Sequence, residues 1–321
     1  MANKYELLIQ NNSKIYEPVV EGEINWETVR KGTPGKLTFN VVNDGRIELQ
    51  EGNAVRFKVN NQNVFFGFVF TKKQTKENII SVTAYDQLRY LKNKDTYVYA
   101  KKTASDVIKM IAKDFKLNLG TIENTGYVIA SRVEDNKTLF DIIQNALDIT
   151  LQNTKKMYVL YDDFGKLTLK NIENMKLNIV IDEETAEDFD YTSSIDEETY
   201  NKVKLVFENK DKGKREVYIA QDSNNINKWG VLQYFDTLKE GEDGKTKANA
   251  LLSLYNKKTR RLTIRNAIGD VRVRAGTMVI VNLNIGDLKL QNYMIVEEAR
   301  HRFAESEHFM DLKLIGGDFV A

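Results

Sequence analysis

Cysteine is absent from the 321 residues, which excludes disulfides, thiolate metal centres and a cysteine nucleophile. Such a chain fits a reducing compartment, or an assembly held together by interfaces alone. Proline occurs only at Pro18 and Pro34, so turns fall to asparagine, aspartate and glycine, a choice that suits hairpins. Neither charge is in excess: 47 lysines and arginines face 46 aspartates and glutamates. That balance removes any bulk attraction for nucleic acid or an anionic membrane. No apolar run approaches the roughly 20 residues of a membrane helix. The first residues, MANKYELLIQNNSK, lack the charged-then-apolar pattern of a secretory signal. Synthesis in the cytoplasm and no membrane partner are expected.

What is present is alternation. From Glu51 to Leu91 three segments read as consecutive antiparallel strands. Ala54 to Val59 alternates Val55, Phe57 and Val59 with Arg56 and Lys58, Val64 to Phe70 is almost wholly apolar, and Ile79 to Tyr85 alternates again. An Asn60-Asn61-Gln62-Asn63 turn and a polar loop from Lys72 to Asn78 separate them. Gly67 within the aromatic middle strand marks a bend, a bulge or a close backbone approach. Curvature of that kind favours a barrel.

The same grammar returns between Ala275 and Gly317. Gly52 precedes Val55, Phe57 and Val59, and Gly276 precedes Val279, Val281 and Leu283 at identical offsets. Ile80, Val82 and Ala84 have counterparts in Met310, Leu312 and Leu314. The pattern reads as a degenerate internal duplication.

A chain of this length exceeds what one core usually serves. Strands are expected at Tyr5 to Gln10, Ile24 to Val29 and Lys36 to Val42, and Leu88 with Leu91 reads as a helical turn plugging a barrel end. Capping boxes open helices at Thr103-Ala-Ser-Asp106 and Thr138-Leu-Phe-Asp141, and a hairpin follows around Asp162 to Gly165. The acidic segment from Asp182 to Asp190, continued at Asp196 to Glu198, reads as a connection. Lys202 to Phe207 and Glu216 to Ala220 form a hairpin that starts a second barrel, across a charged turn from Asn209 to Arg215. The expected architecture is mainly β with an α+β insert: an N-terminal β-barrel over 1–95, an α+β middle domain over 96–188 and a C-terminal β-barrel over 189–321, with a helix inserted around 246–258. Lys257, Lys258, Arg260 and Arg261 are expected at the carboxyl end of that helix.

Chemistry is harder to find. Gly244-Lys245-Thr246 resembles the end of a phosphate loop, but Lys239 stands where the loop needs its first glycine, and a solvated turn opening a helix fits better. His301 and His308 could meet across the last hairpin, with only Glu305 and Glu307 as further ligands, too few for a zinc site. The acidic runs match no calcium-loop spacing, and a glycosidase pair is invisible in sequence. No catalytic, cofactor-binding or metal-binding residue is assigned, no cofactor is expected, and no enzyme is inferred.

The segments VFFGFVF and SVTAYDQLRYL, the T-x-x-D-V-I helix at Thr103, the T-x-x-D-I-I helix at Thr138 with YVLYDDFGKLTL, and the ending AGTMVIVNL to HFMDLKLIGG together resemble the XkdQ and YqbQ family. These are baseplate hub proteins of contractile phage tails, defective prophages and phage-tail-like bacteriocins. The resemblance covers nearly the whole chain, and its motifs are structural. It implies two barrels related to the tail-tube fold and a homotrimer that adapts a six-fold tube to a three-fold spike. The implied partners are the tail tube protein, the spike protein, other baseplate subunits and the tape-measure protein, with DNA only in transient passage through the bore. The implied location is the virion or phage-tail-like particle. Two alternatives stand beside it: a tail-associated cell-wall hydrolase acting through paired carboxylates, and a soluble binding module.

Overall fold

The computed structural model describes residues 3–74, 77–209, 213–238, 242–285 and 288–316. Its elements are, in order, β1 (Tyr5–Asn11), β2 (Lys14–Tyr16), β3 (Val20–Val29), β4 (Lys36–Val42), β5 (Ala54–Val59), β6 (Gln62–Gln74) and β7 (Ile79–Tyr85). The middle of the chain supplies β8 (Lys94–Lys102), α1 (Ala104–Asp114), β9 (Leu119–Ile122), β10 (Ile129–Thr138), α2 (Leu139–Thr154), β11 (Tyr158–Asp162) and β12 (Leu167–Asn171). Then come β13 (Lys176–Ile181), β14 (Asp188–Ser194), β15 (Lys202–Asn209), β16 (Lys214–Gln221), α3 (Ser223–Trp229), β17 (Gln233–Thr237) and α4 (Gly244–Tyr255). The last four strands are β18 (Thr259–Ile268), β19 (Met278–Ile285), β20 (Leu288–Ala304) and β21 (Glu307–Ile315).

The protein is mainly β, as its alternation predicts, and the expected duplication appears in its topology. In the first unit the strands lie in the order β1-β5-β6-β7-β4-β3, and in the second in the order β13-β19-β20-β21-β18-β14. Numbered within each unit, both read first, fourth, fifth, sixth, third, second. The units differ at one edge, where β1 runs antiparallel to β5 but β13 runs parallel to β19.

The glycines that flagged the repeat explain its local geometry. Gly52 and Gly276 have φ of 86° and 94°, a region that side chains strain to occupy. The Gly52 amide donates to Val69 O at 2.7 Å and the Gly276 amide to Val296 O at 2.8 Å. Val69 N returns a bond to Asn53 O, and Val296 N to Thr277 O, at 2.9 Å each. A bulge follows each clasp, between Val69 and Thr71 and between Val296 and Glu298. The extra residue bends each long strand. Gly67 behaves as expected: a Cβ there would run into Tyr85 O and the Phe65 ring.

Among the described residues neither expected barrel closes on itself by a backbone ladder, and the two units share one continuous sheet. The reason lies in β20, 17 residues long and kinked after Val296. One edge pairs with β21 from Ile295 to Ala304, while the other pairs with β19 in its first half and with β3 in its second, from Glu298↔Val29 to Phe303↔Ile24. The strand that could close the second sheet thereby extends the first, and a single 13-stranded sheet results. Phe303, 1% exposed, belongs to the first core, edge-on to Phe57 at 4.9 Å and Tyr5 at 5.5 Å. Sealing such a ring contributes roughly 1.5–3 kcal/mol.

The middle region is an α+β unit with its own core. Thr103 and Asp106 form the predicted reciprocal capping box, and Thr138 accepts from Asp141 N at 3.1 Å. Leu88 and Leu91, read as a barrel plug, sit instead on a 3₁₀ turn, Gln87–Lys92, whose buried side chains join this core. The predicted hairpin forms as β11 and β12, and β9 adds in parallel.

Two further expectations change. The acidic connection is in part a strand, β14, because Phe189 and Tyr191 alternate inward and Asp188 and Asp190 both pair with Arg265 of β18. That neutralising cation lies 75 or more residues away, so local composition hides the strand. The hairpin β15–β16 does form, but with β17 and α4 it builds a separate three-stranded sheet and core rather than starting a barrel. The helix expected around 246–258 is α4, part of this larger insert between β14 and β18. The turn from Asn209 to Arg215 and the loop from Lys72 to Asn78 lie partly outside the described residues, as does Gly317.

Candidate functional site

The residue two before each clasp glycine is fixed by the same turn. Gln50 N donates to Asn53 Oδ1 at 2.8 Å, and Arg274 N to Thr277 Oγ1 at 3.2 Å. Gln50 is exposed, whereas Arg274 points into the place where the three parts of the chain meet. Its guanidinium lies 4.3 Å from the Tyr161 ring centroid of the middle unit and 5.8 Å from that of Trp26 on β3.

Two carboxylates share this junction. Asp86, 3% exposed at the end of β7, accepts from Gly35 N at 2.9 Å and Leu88 N at 3.0 Å. Asp162, 5% exposed, accepts from Gly165 N at 2.6 Å, and its Oδ2 has no hydrogen-bond partner. Burial pushes the Asp86 carboxyl well above the usual range, with Asp162 adding to it and Arg274 opposing. Burial also raises Asp162 and lowers Arg274. The cation thus opposes the raised pKa of a buried acidic pair through the field alone, without an ion pair to either carboxylate, and its own Nε has no hydrogen-bond partner among the described residues.

The two histidines meet beside it. His301 Nε2 lies 2.8 Å from the Val273 carbonyl, which can only accept, so that nitrogen carries the proton. His301 Nδ1 must then accept from His308 Nε2, 2.8 Å away. Trp26 stacks on His301 at 4.9 Å and Phe303 on His308 at 4.3 Å. Burial holds the His301 imidazole down at about 3, reinforced by His308, and holds His308 down at about 4. The predicted encounter across the hairpin is real, but it lies in a sealed core. Glu305 and Glu307 stay outside on the exposed tip. Among the described residues no group of three or more His, Cys, Asp or Glu could hold a metal.

The remaining motifs resolve as follows. At Gly244-Lys245-Thr246 the Asp243 carboxylate caps α4, accepting from Lys245 N at 3.0 Å and Thr246 N at 3.1 Å, so the helix end is already satisfied. Lys239 is outside the described residues. Of the four cations, Arg260 and Arg261 lie on β18 rather than at the helix end, and Arg261 pairs with Glu197. The pair Asp86 and Asp162, with Arg274, escaped the reading of the sequence. A charged residue two before a clasp glycine, where the sister copy carries glutamine, was the available signal.

The outer faces carry shallow open clefts and charged surface, one cleft bordered by Glu27, Glu298, Asp311 and Lys313. Across β4, β3, β20, β21 and β18 run opposed charges: Lys36 pairs with Glu27 at 2.7 Å, Lys313 with Glu298 at 2.7 Å and Arg302 with Asp311 at 3.4 Å. Such exposed pairs contribute little stability, about 0–1 kcal/mol each.

Comparison with known proteins gives this surface a context. The model of the YQBQ-like family matches residues 24–315. The phage-like element PBSX protein XkdQ of Bacillus subtilis is 30% identical, over 97% of this chain and 96% of that protein. The 43 kDa tail protein of prophage MuSo2 from Shewanella oneidensis superposes with a TM-score of 0.72 at 13% identity, covering 98% of this chain and 100% of the other. The E. coli c3393 protein, a type VI secretion component described as similar to the phage T4 tail proteins gp27 and gp5, gives a TM-score of 0.56 at 8% identity. It is covered over 76% of its length and matches 97% of this chain.

Proposed function

The chain belongs to the YQBQ-like family, and from that premise we propose that this phage-tail- and baseplate-like structural protein is a hub subunit. Three copies form a ring that adapts a six-fold tail tube to a three-fold spike and lines a central channel. The observation that carries the reading is the strand order written twice in one chain. A molecule with two like units presents six of them when trimeric, so one object meets six-fold and three-fold neighbours without changing its fold.

In this reading the partners are tube, spike and neighbouring baseplate proteins, and the channel passes the tape-measure protein and then DNA. The site of action is the virion or phage-tail-like particle. The working partition is 1–95, 96–188 and 189–321, with β13 contributed across the second boundary. The role is mechanical, without catalysis. A wall hydrolase has weaker support, since Asp86 and Asp162 are 3% and 5% exposed and a polymer needs an open cleft.

The test is a reconstruction of the particle. Three copies at the junction of tube and spike are expected, and any other copy number there overturns the proposal.

A further inference from the structure

The two units are unequal at one edge. In the first, the outer edge of β3 is covered by β20, and Ile24 and Trp26 are 4% and 3% exposed. In the second, the equivalent strand β14 pairs with β18 alone among the described residues. Its inward residues Phe189 and Tyr191 are only half-buried. The strand equivalent to β20 is β6, whose last residues, Thr71 to Gln74, pair with β7 alone and are exposed. A free arm and a free edge therefore exist, and the chain already contains one example of how such an arm and edge fit.

We propose that β6 of one copy pairs antiparallel with β14 of the next copy, repeating between chains the β20–β3 ladder found within the chain. The register follows from the ladders. Thr71, Thr83, Thr38 and Asn25 lie in one row of the first unit, and Glu298, Lys313, Thr263 and Asp190 in the matching row of the second. Asn25 thus corresponds to Asp190, and Trp26 to Tyr191. Transferring Arg300↔Glu27 and His301↔Trp26 sets Lys73 opposite Thr192 and Gln74 opposite Tyr191.

Charge supports the same pairing. Within the chain, Arg300 donates to Asn25 Oδ1 at 3.0 Å. The equivalent residues are Lys73 and Asp190, a cation and an exposed anion whose one oxygen already meets Arg265. An unpaired strand edge is also a standing template for another strand. The inference rests on the hub reading, because a contact between unlike surfaces repeats from copy to copy and the proposed ring is what closes it.

Because the chain has no cysteine, any disulfide between its copies must use the introduced residues. Particles are assembled with Lys73→Cys and Thr192→Cys in the same chain, oxidised, and run on a non-reducing gel. Residues facing each other in an antiparallel pair sit within the roughly 4.4–6.8 Å Cα separation a disulfide accepts. Covalent dimers and trimers are expected, and equally with Thr71→Cys and Ser194→Cys, which the register also sets opposite. The off-register combination Lys73→Cys and Ser194→Cys should stay single. Glu27→Cys with Arg300→Cys, the pair within the chain, serves as the control and should close without crosslinking chains. If the control closes and particles hold three copies, yet neither in-register combination bridges, the pairing is wrong and the hub reading survives. Efficient bridging by the off-register combination also overturns the pairing. A different copy number removes both.

Discussion

Gln50 and Arg274 occupy the same place in the same turn, two residues before a glycine of positive φ, yet one lies in solvent and the other faces aromatic rings of two other parts of the molecule. The backbone is what the two units share. What separates them is the side chain set on it: the first copy meets the middle unit through the Phe66 ring against Phe164, the second through Arg274 against Tyr161. The long strands teach the same lesson: past its bulge β6 is a solvated arm, whereas β20 at the equivalent place carries His301 and Phe303 into sealed surroundings.

That contrast can be broken most forcefully at Arg274. Changing it to the residue of the other copy, Arg274→Gln, removes the buried charge that opposes the raised carboxyls and its contact with the Tyr161 ring, and should cost about 3 kcal/mol, against under about 0.5 for Gln50→Ala. The sign of the pH effect follows from the carboxyls being raised. A group whose folded pKa exceeds its unfolded value gains stability as pH falls through the folded value, so the deficit should be smaller at pH 5 than at pH 8. Urea unfolding at both pH values checks this. A deficit that widens in acid would contradict the buried-pair account.

Next come the glycines. Gly52→Ala meets open space and should cost only the backbone strain, about 1–2 kcal/mol. Gly276→Ala adds a Cβ 2.5 Å from Val159 Cγ1 and should cost about 3 kcal/mol. Adding Val159→Ala should recover part of the second loss, and an absence of coupling in that double-mutant cycle would refute the contact as its cause.

The histidines sharpen the comparison through acid. Their folded values, about 3 and about 4, lie below the unfolded one, so stability is present at neutral pH and is lost as pH falls from about 6.5 towards 4. Each contributes a loss of about 2 kcal/mol by pH 5. The raised carboxyls of the Arg274 junction oppose this slope, so imidazole resonances are the cleaner readout. Neither ring should titrate between pH 8 and 5, and a midpoint near 6.5 for either would show that the cluster is open. The smallest effect concerns the insert that only the second unit carries. Asp243→Ala should cost about 1 kcal/mol, visible as faster amide exchange in α4 with the first unit unchanged.

Much of this fold was legible because period-two alternation and glycine offsets are local. Val55, Phe57 and Val59 and their counterparts Val279, Val281 and Leu283 are all buried, as their spacing implies. Barrel closure was not legible, since it depends on where the far half of β20 goes, and a strand cannot announce its neighbour. β14 was hidden because its charges are answered by Arg265 on a distant strand. The junction of Asp86, Asp162 and Arg274 was equally hidden, for its members are separated in sequence and each looks like an ordinary surface charge. The His301–His308 meeting was visible because a hairpin makes neighbours of residues a few positions apart.

β20 also sets how the molecule comes apart. Because its backbone is bonded into both halves, neither half can melt and leave the other whole. The slowest amide protons to exchange with deuterium should therefore trace this one strand, from Tyr293 to Phe303, rather than the centre of either apolar interior.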